Sequence, residues 1–181
     1  MITPALVVVT GLPAAGKTTI ARELAATLDL PLLEMDAFKE LLYETLGAED
    51  RDRSREIGFA AFALLYHTTT RMLRASTSLV LEANFSVGLA EPWFAAFPPC
   101  RILQILVTAP PATLLDRYRS RAATTGRHPG HADIAALPEV ERGLAEGRWG
   151  VLGVGGDLIE IDTSSPVDVS PLADRVAAFV L

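Results

Sequence analysis

Residues 11–18 read GLPAAGKT, two glycines five positions apart followed at once by a lysine and a threonine, with a second threonine at 19. The run fits G-x-x-x-x-G-K-[ST] in full. Glycines at both ends permit a loop whose backbone N–H groups turn inward as a nest for phosphate oxygens, and a Cβ at Gly16 is expected to obstruct it. A helix starting at Lys17 adds the positive end of its dipole. Lys17 reaches toward the β- and γ-phosphates and the Thr18 hydroxyl toward Mg²⁺. Gly11, Ala14, Ala15, Gly16, Lys17, Thr18 and Thr19 are therefore expected to cradle the phosphates of ATP. The competing reading is a turn with a chance lysine, which the flanking strand and helix disfavour.

Other residues suited to chemistry lie further along. Asp36 closes the short apolar run PLLEMD (31–36), so it sits at the edge where parallel sheets bind ligands. A carboxylate there can take the proton of an attacking hydroxyl, or it can cap a helix starting at Ala37. Glu82 ends the run LVLE and is a candidate second holder of Mg²⁺ beside Thr18; a strand-end charge meeting solvent or an arginine weighs equally. Asn84 and Phe85 follow as acceptor contacts or as turn and packing residues. Arg117 and Arg121 are four apart and share a helix face, with Arg127 beyond. Arginines so placed can neutralise charge on a transferring phosphoryl group, or form a solvated basic face with Asp116. Arg119 points elsewhere, as a surface residue.

Two further groups carry weaker signals. His128 and His131 are spaced like metal ligands, but Pro129 and Gly130 between them favour a tight turn. Phe59, Phe62 and Tyr66 fall at i, i+3, i+7 and either line an acceptor pocket or pack in the core.

The elements that must hold these residues alternate. Strands are expected at 5–10, 31–36, 78–85, 101–109 and 158–162. Helices are expected after the glycine loop, over 37–46, from about Arg55 to Arg74, over 112–122, near 138–147 and at the end of the chain. The charged stretch 49–56 reads as a solvated loop or helix start, and the connection around Trp93 as irregular. On the long helix, Ile57, Ala61, Leu64, Leu65, Thr68 and Met72 form the face with the clearest period. Residues 123–133 are polar and rich in turn formers. Strands alternating with helices imply an α/β sandwich around a parallel sheet.

Half of the 181 residues are hydrophobic, enough for one domain over 1–181 with a real core. The net charge of −6 argues against gripping long nucleic acid. With Cys100 as the single cysteine, no internal disulfide or thiolate zinc cage can form, as suits a cytoplasmic protein. The longest apolar stretch is about half the length needed to span a bilayer. There is no N-K-x-D sequence for guanine, and the chain is short for an oligomeric motor ATPase with its usual helical subdomain. A small kinase remains. Its Asp36 base favours a hydroxyl acceptor on a small molecule. The alternatives are a nucleoside monophosphate kinase, with Arg51, Arg53 and Arg55 as a phosphate cradle, and a nucleotide-gated binding module without efficient transfer.

The phosphate loop, Asp36 just after the second strand and the DRYRSR…GR run after the fourth together resemble P-loop kinases of the zeta-toxin, chloramphenicol phosphotransferase and polynucleotide kinase type. The resemblance implies a P-loop NTPase three-layer sandwich with a five-stranded parallel sheet in order 2-3-1-4-5 and a lid after strand four, at about 121–147. It also implies that Asp36 is catalytic and that Arg117, Arg121 and Arg127 are lid arginines.

Overall fold

The computed structural model describes residues 3–47, 50–123, 128 and 133–181, with 133 and 134 as backbone alone. Five strands, β1 (Ala5–Gly11), β2 (Leu32–Glu34), β3 (Leu79–Glu82), β4 (Arg101–Thr108) and β5 (Asp157–Asp162), form one parallel sheet in order β2-β3-β1-β4-β5. This is the order the resemblance implies. Seven helices are described: α1 (Lys17–Leu28), α2 (Met35–Leu46), α3 (Arg51–Arg74), α4 (Glu91–Ala95), α5 (Pro111–Ala122), α6 (Asp133–Ala145) and α7 (Ser170–Val180).

β1 is the central strand and every residue of it is buried. Its unbroken apolar run is what a strand covered on both faces requires. Val7 and Val9 pack into one layer with Ile20 and Leu24 of α1 and Leu172 and Val176 of α7. Leu6 and Val8 point into the other layer, with Leu65 and Leu73 of α3 and Phe94 of α4. β4 divides in the same way, with Leu103, Ile105 and Val107 in the first layer. Gln104, on the opposite face, is buried yet satisfied. Its Nε2 donates to the Leu152 carbonyl (3.1 Å) and its Oε1 accepts from the Leu152 N–H (3.0 Å), pinning the glycine-rich connection before β5 to the sheet.

Several boundaries differ from the sequence expectations for identifiable reasons. The charged stretch at 49–56 is largely the first turn of α3, because the Asp50 carboxylate accepts from the Arg53 N–H and caps it. The buried stripe of α3 runs through Ile57, Ala61, Leu65, Thr69 and Leu73, one step round from the expected face, and Leu64 is 41% exposed. Thr69 tolerates burial because its hydroxyl donates to the Leu65 carbonyl at 2.8 Å. The region around Trp93 contains the short helix α4, started by Pro92 in its first turn. α6 begins before Pro138 and carries that proline inside it. Among the described residues, no helix is long and apolar enough to cross a membrane.

Candidate phosphate-transfer site

The C-terminal ends of β1, β2 and β3 lie side by side, with Glu82 in register with Val9 on one side and Glu34 on the other. The chain leaves β1 at Gly11, whose φ of 131° and tight approach to β4 both require glycine. A Cβ there would stand 2.1 Å from the Val107 carbonyl oxygen. The loop then holds Ala14 at φ 62°, uncommon for a residue with a side chain, and closes with the Ala15 N–H on the Leu12 carbonyl (3.3 Å). Gly16 heads α1 in the left-handed region, at φ 89°. Apart from Gly16 itself and its chain neighbours, no atom of the described residues lies within 4 Å of where its Cβ would be. Glycine is thus demanded here by the backbone angle, and the space beside it is open. No side chain caps α1 and no acid stands in its first turn, so its leading N–H groups and dipole face that space.

Lys17 is 5% exposed and donates from Nζ to the Leu12 carbonyl (2.8 Å), folded against its own loop. Thr18 donates from Oγ1 to Glu82 Oε2 (3.3 Å). Burial pushes the Lys17 ammonium below its ordinary pKa, while the carboxylates of Glu82 and Asp36 oppose that shift. Burial likewise pushes Glu82 up, opposed by Lys17 and reinforced by Asp36. Each charge thus offsets part of the cost of burying the other, while burial still moves both toward their neutral forms, a perturbation expected at a ligand-binding site.

Asp36 is the second residue of α2 and lines the same cleft as Lys17, Thr18, Glu82 and Arg121. It is not the N-cap that a helix start at Ala37 would have made it. Glu34 occupies that position without a side-chain cap, and its carboxylate is taken by Arg22 (2.8 and 3.3 Å).

Arg117 and Arg121 both border the groove around Ala14–Thr19, on the α5 side of the loop. Arg121 also reaches the Asp36 cleft, with its guanidinium 5.2 Å from the Tyr118 ring. Arg117 is tied elsewhere. It donates to the Thr163 hydroxyl (3.1 Å) and carbonyl (2.7 Å), and the Thr163 hydroxyl in turn meets the Ala15 carbonyl at 2.9 Å. One residue at the end of β5 thus braces both α5 and the phosphate loop. Arg119 pairs with Asp116 (3.7 Å) and Glu141 (2.7 Å) at the surface. Arg127 and His131 lie outside the described residues. His128 meets the Tyr43 ring edge-on at 5.2 Å and lies 3.6 Å from a Glu44 oxygen.

The structure adds residues that sequence reasoning passed over. Lys39, Glu139 and Trp149 border the cleft, together with Arg51 of the expected cradle. Glu139 gathers Arg51 (2.9 Å), Arg55 (3.6 Å) and Arg148 (3.4 Å), joining α6 to α3. A second recess runs from Gly16 and Thr19 past Arg117 to Thr163, Ser164 and Pro166. The run TSSPVDVS directly after the last strand was its available signal, being a polar, proline-containing loop at the ligand-binding edge.

Residues 6–146 match the family described as AAA domain. The chain belongs to this family. This AAA domain chain is 37% identical to a candidate kinase from Chloroflexus aurantiacus J-10-fl, covering 99% of this chain and 100% of that one at a TM-score of 0.86. A sugar kinase from Janibacter sp. HTCC2649 (17% identity, 98% and 94% coverage, TM-score 0.62) has the same fold. So does shikimate kinase from Acinetobacter baumannii (19% identity, 98% and 92% coverage, TM-score 0.51). Among curated proteins none matches the AAA domain chain. Its architecture is that of a P-loop kinase.

Proposed function

We propose that the protein is a kinase that uses ATP and Mg²⁺ to phosphorylate a hydroxyl of a small molecule. The observation that carries this reading is the convergence of Lys17, Thr18, Asp36, Glu82 and Arg121 on one cleft. The site suits the nucleotide. Uncapped helix amides, open space beside Gly16 and a buried ammonium answer a polyphosphate, and the Thr18 and Glu82 oxygens are the hard donors Mg²⁺ takes. Mg²⁺ would neutralise charge on the β- and γ-phosphates.

In this reading Lys17 leaves the Leu12 carbonyl for the phosphates. Asp36 accepts the proton of the acceptor hydroxyl as that oxygen attacks phosphorus. Arg121 stabilises the charge that spreads over the transferred group. Arg127 is proposed as a partner for it, and α6 with the segment before it as a lid that excludes water. Arg117 holds the wall between Thr163 and the loop, where the recess toward Ser164 and Pro166 suits the base and sugar of the nucleotide. The kinship to zeta-toxin and chloramphenicol phosphotransferase types remains part of this reading.

The monophosphate-kinase alternative needs a free arginine cradle. Arg51 and Arg55 are paired with Glu139 and Arg53 with Glu56 (2.8 Å), which favours a hydroxyl acceptor. The test is ATP consumption against panels of aminoglycosides, nucleosides, sugars and nucleoside monophosphates, with the phosphorylated product identified by mass. Transfer to a hydroxyl supports the reading, and transfer only to phosphate acceptors replaces it.

A further inference from the structure

Beside the phosphate cleft, α3, α4 and the chain after β3 enclose a second recess walled by aromatic rings. Tyr66 and Trp93 lie parallel, 4.9 Å apart at 3°, with Phe85 behind them and Phe59 at the mouth. Trp93 is 52% and Phe59 69% exposed, so broad apolar faces are left to water, an arrangement that marks a binding surface more than a core. No side chain lining the recess carries a charge at neutral pH. The charged neighbour whose field reaches Tyr66 is Glu91, a carboxylate, and it repels anions.

Asn84 joins the two spaces, lining both the Asp36 cleft and the aromatic recess. Its Oδ1 is buried and has no hydrogen-bond partner among the described residues. A buried amide oxygen in that state has lost its water without gaining a donor, which suits a ligand N–H or O–H.

We propose that the phosphoryl acceptor is an uncharged molecule with a flat apolar body and two neighbouring hydroxyls, an aryl diol in its simplest form. This rests on the kinase reading above. The ring lies against Trp93 and Phe59, one hydroxyl donates to Asn84 Oδ1, and the other is presented to Asp36. In the transfer, the second hydroxyl oxygen bonds to the γ-phosphorus of the nucleoside triphosphate and the bond from that phosphorus to the bridging oxygen breaks. The hydroxyl proton passes to Asp36, and the products are a phosphate monoester and the nucleoside diphosphate.

The probes are 3-phenyl-1,2-propanediol, 3-phenyl-1-propanol, glycerol and glycerol 3-phosphate, with binding followed by calorimetry and transfer by mass. The aryl diol is expected to bind at least about 10-fold tighter than glycerol or glycerol 3-phosphate. Trp93→Ala is expected to weaken it by about 10-fold, and Asn84→Leu to bring the diol down to the affinity of the single alcohol. Phe59→Ser, at a side chain already mostly in water, gives the same direction if Trp93→Ala fails to fold. Equal binding of glycerol, or an aryl diol that does not bind or ignores both aromatic substitutions, overturns the proposal. Transfer to glycerol without transfer to the aryl diol also overturns it and keeps the kinase reading. Aryl diol binding with no transfer overturns the acceptor role, while the kinase reading stands or falls on the wider acceptor panel.

Discussion

The two halves of the cleft are built by different physics. The phosphate half is local and charged: Gly11 through Thr19 form one continuous loop and helix start, with Glu82 across from Thr18 at 3.3 Å and the Thr163 hydroxyl against Ala15 at 2.9 Å. The proposed acceptor half is assembled from distant and neutral pieces, Tyr66 on α3, Asn84 after β3 and Trp93 on α4, with the carboxylate of Asp36 on α2 at its border with the phosphate half. Backbone geometry and fixed charge suffice to hold a polyphosphate. Selecting an acceptor takes shape and apolar surface, which can change without disturbing the loop.

The sharpest way to break this division is Lys17→Ala. Transfer should fall by about 10³-fold or more, with ATP affinity reduced as well, while the protein stays folded, because the deleted Nζ hydrogen bond goes to a loop carbonyl and Glu82, whose carboxyl burial already pushes up to about 7, can take up a proton once the Lys17 charge is gone. Calorimetry and a thermal melt check both halves of the expectation. A variant that binds ATP like the parent would remove the charge-based account of the loop.

A smaller effect belongs to the brace on the phosphate half. Arg117→Ala deletes two hydrogen bonds to Thr163 and should cost about 1–3 kcal/mol of stability, raising KM for ATP more than it lowers kcat. Denaturant unfolding with steady-state kinetics separates these. A kcat loss with KM unchanged would place Arg117 at the transferring phosphoryl group instead.

The smallest expected effect is a pH dependence confined to the charged half. Burial pushes Glu82 up to about 7, and a bound cation favours its ionised form. Affinity for Mg²⁺·ATP should therefore weaken as pH falls from 8 to 6, when Glu82 takes up its proton. In Glu82→Gln that slope should flatten. Aryl diol binding in the neutral recess should not change over the same range. A parallel slope in both would contradict the separation of the two regions.

How far the sequence could be read follows the same division. The loop from Gly11 to Thr18 was legible because its function is carried by contiguous residues and by glycines that the backbone angles demand at 11 and 16. Glu82 was legible as a strand-end carboxylate, since parallel strands bring those ends to one edge, whereas Asp36 reaches the same cleft from the first turn of α2 and not from the strand end that the apolar run suggested. The bracing of Arg117 by Thr163 was not, because it joins residues 46 apart that meet only when β5 completes the sheet. Nor was the role of Glu139 in holding Arg51, Arg55 and Arg148, where nothing local distinguishes it from other helical glutamates. Phe59, Phe62 and Tyr66 were seen as either pocket or core. The burial of Tyr66 beside the exposed Phe59 shows that one helix face does both.

The central claim is that Asp36 turns a phosphate-binding cleft into a phosphoryl-transfer site, and Asp36→Asn tests it most directly. The substitution keeps the shape of the side chain and removes its basicity. With ATP, Mg²⁺ and an acceptor found by the panel, phosphate monoester formation followed by ³¹P NMR should slow by about 10²-fold or more. The melting temperature and ATP affinity should match the parent. An Asp36→Asn protein that melts and binds ATP like the parent yet forms the monoester at a near-parental rate would contradict the account.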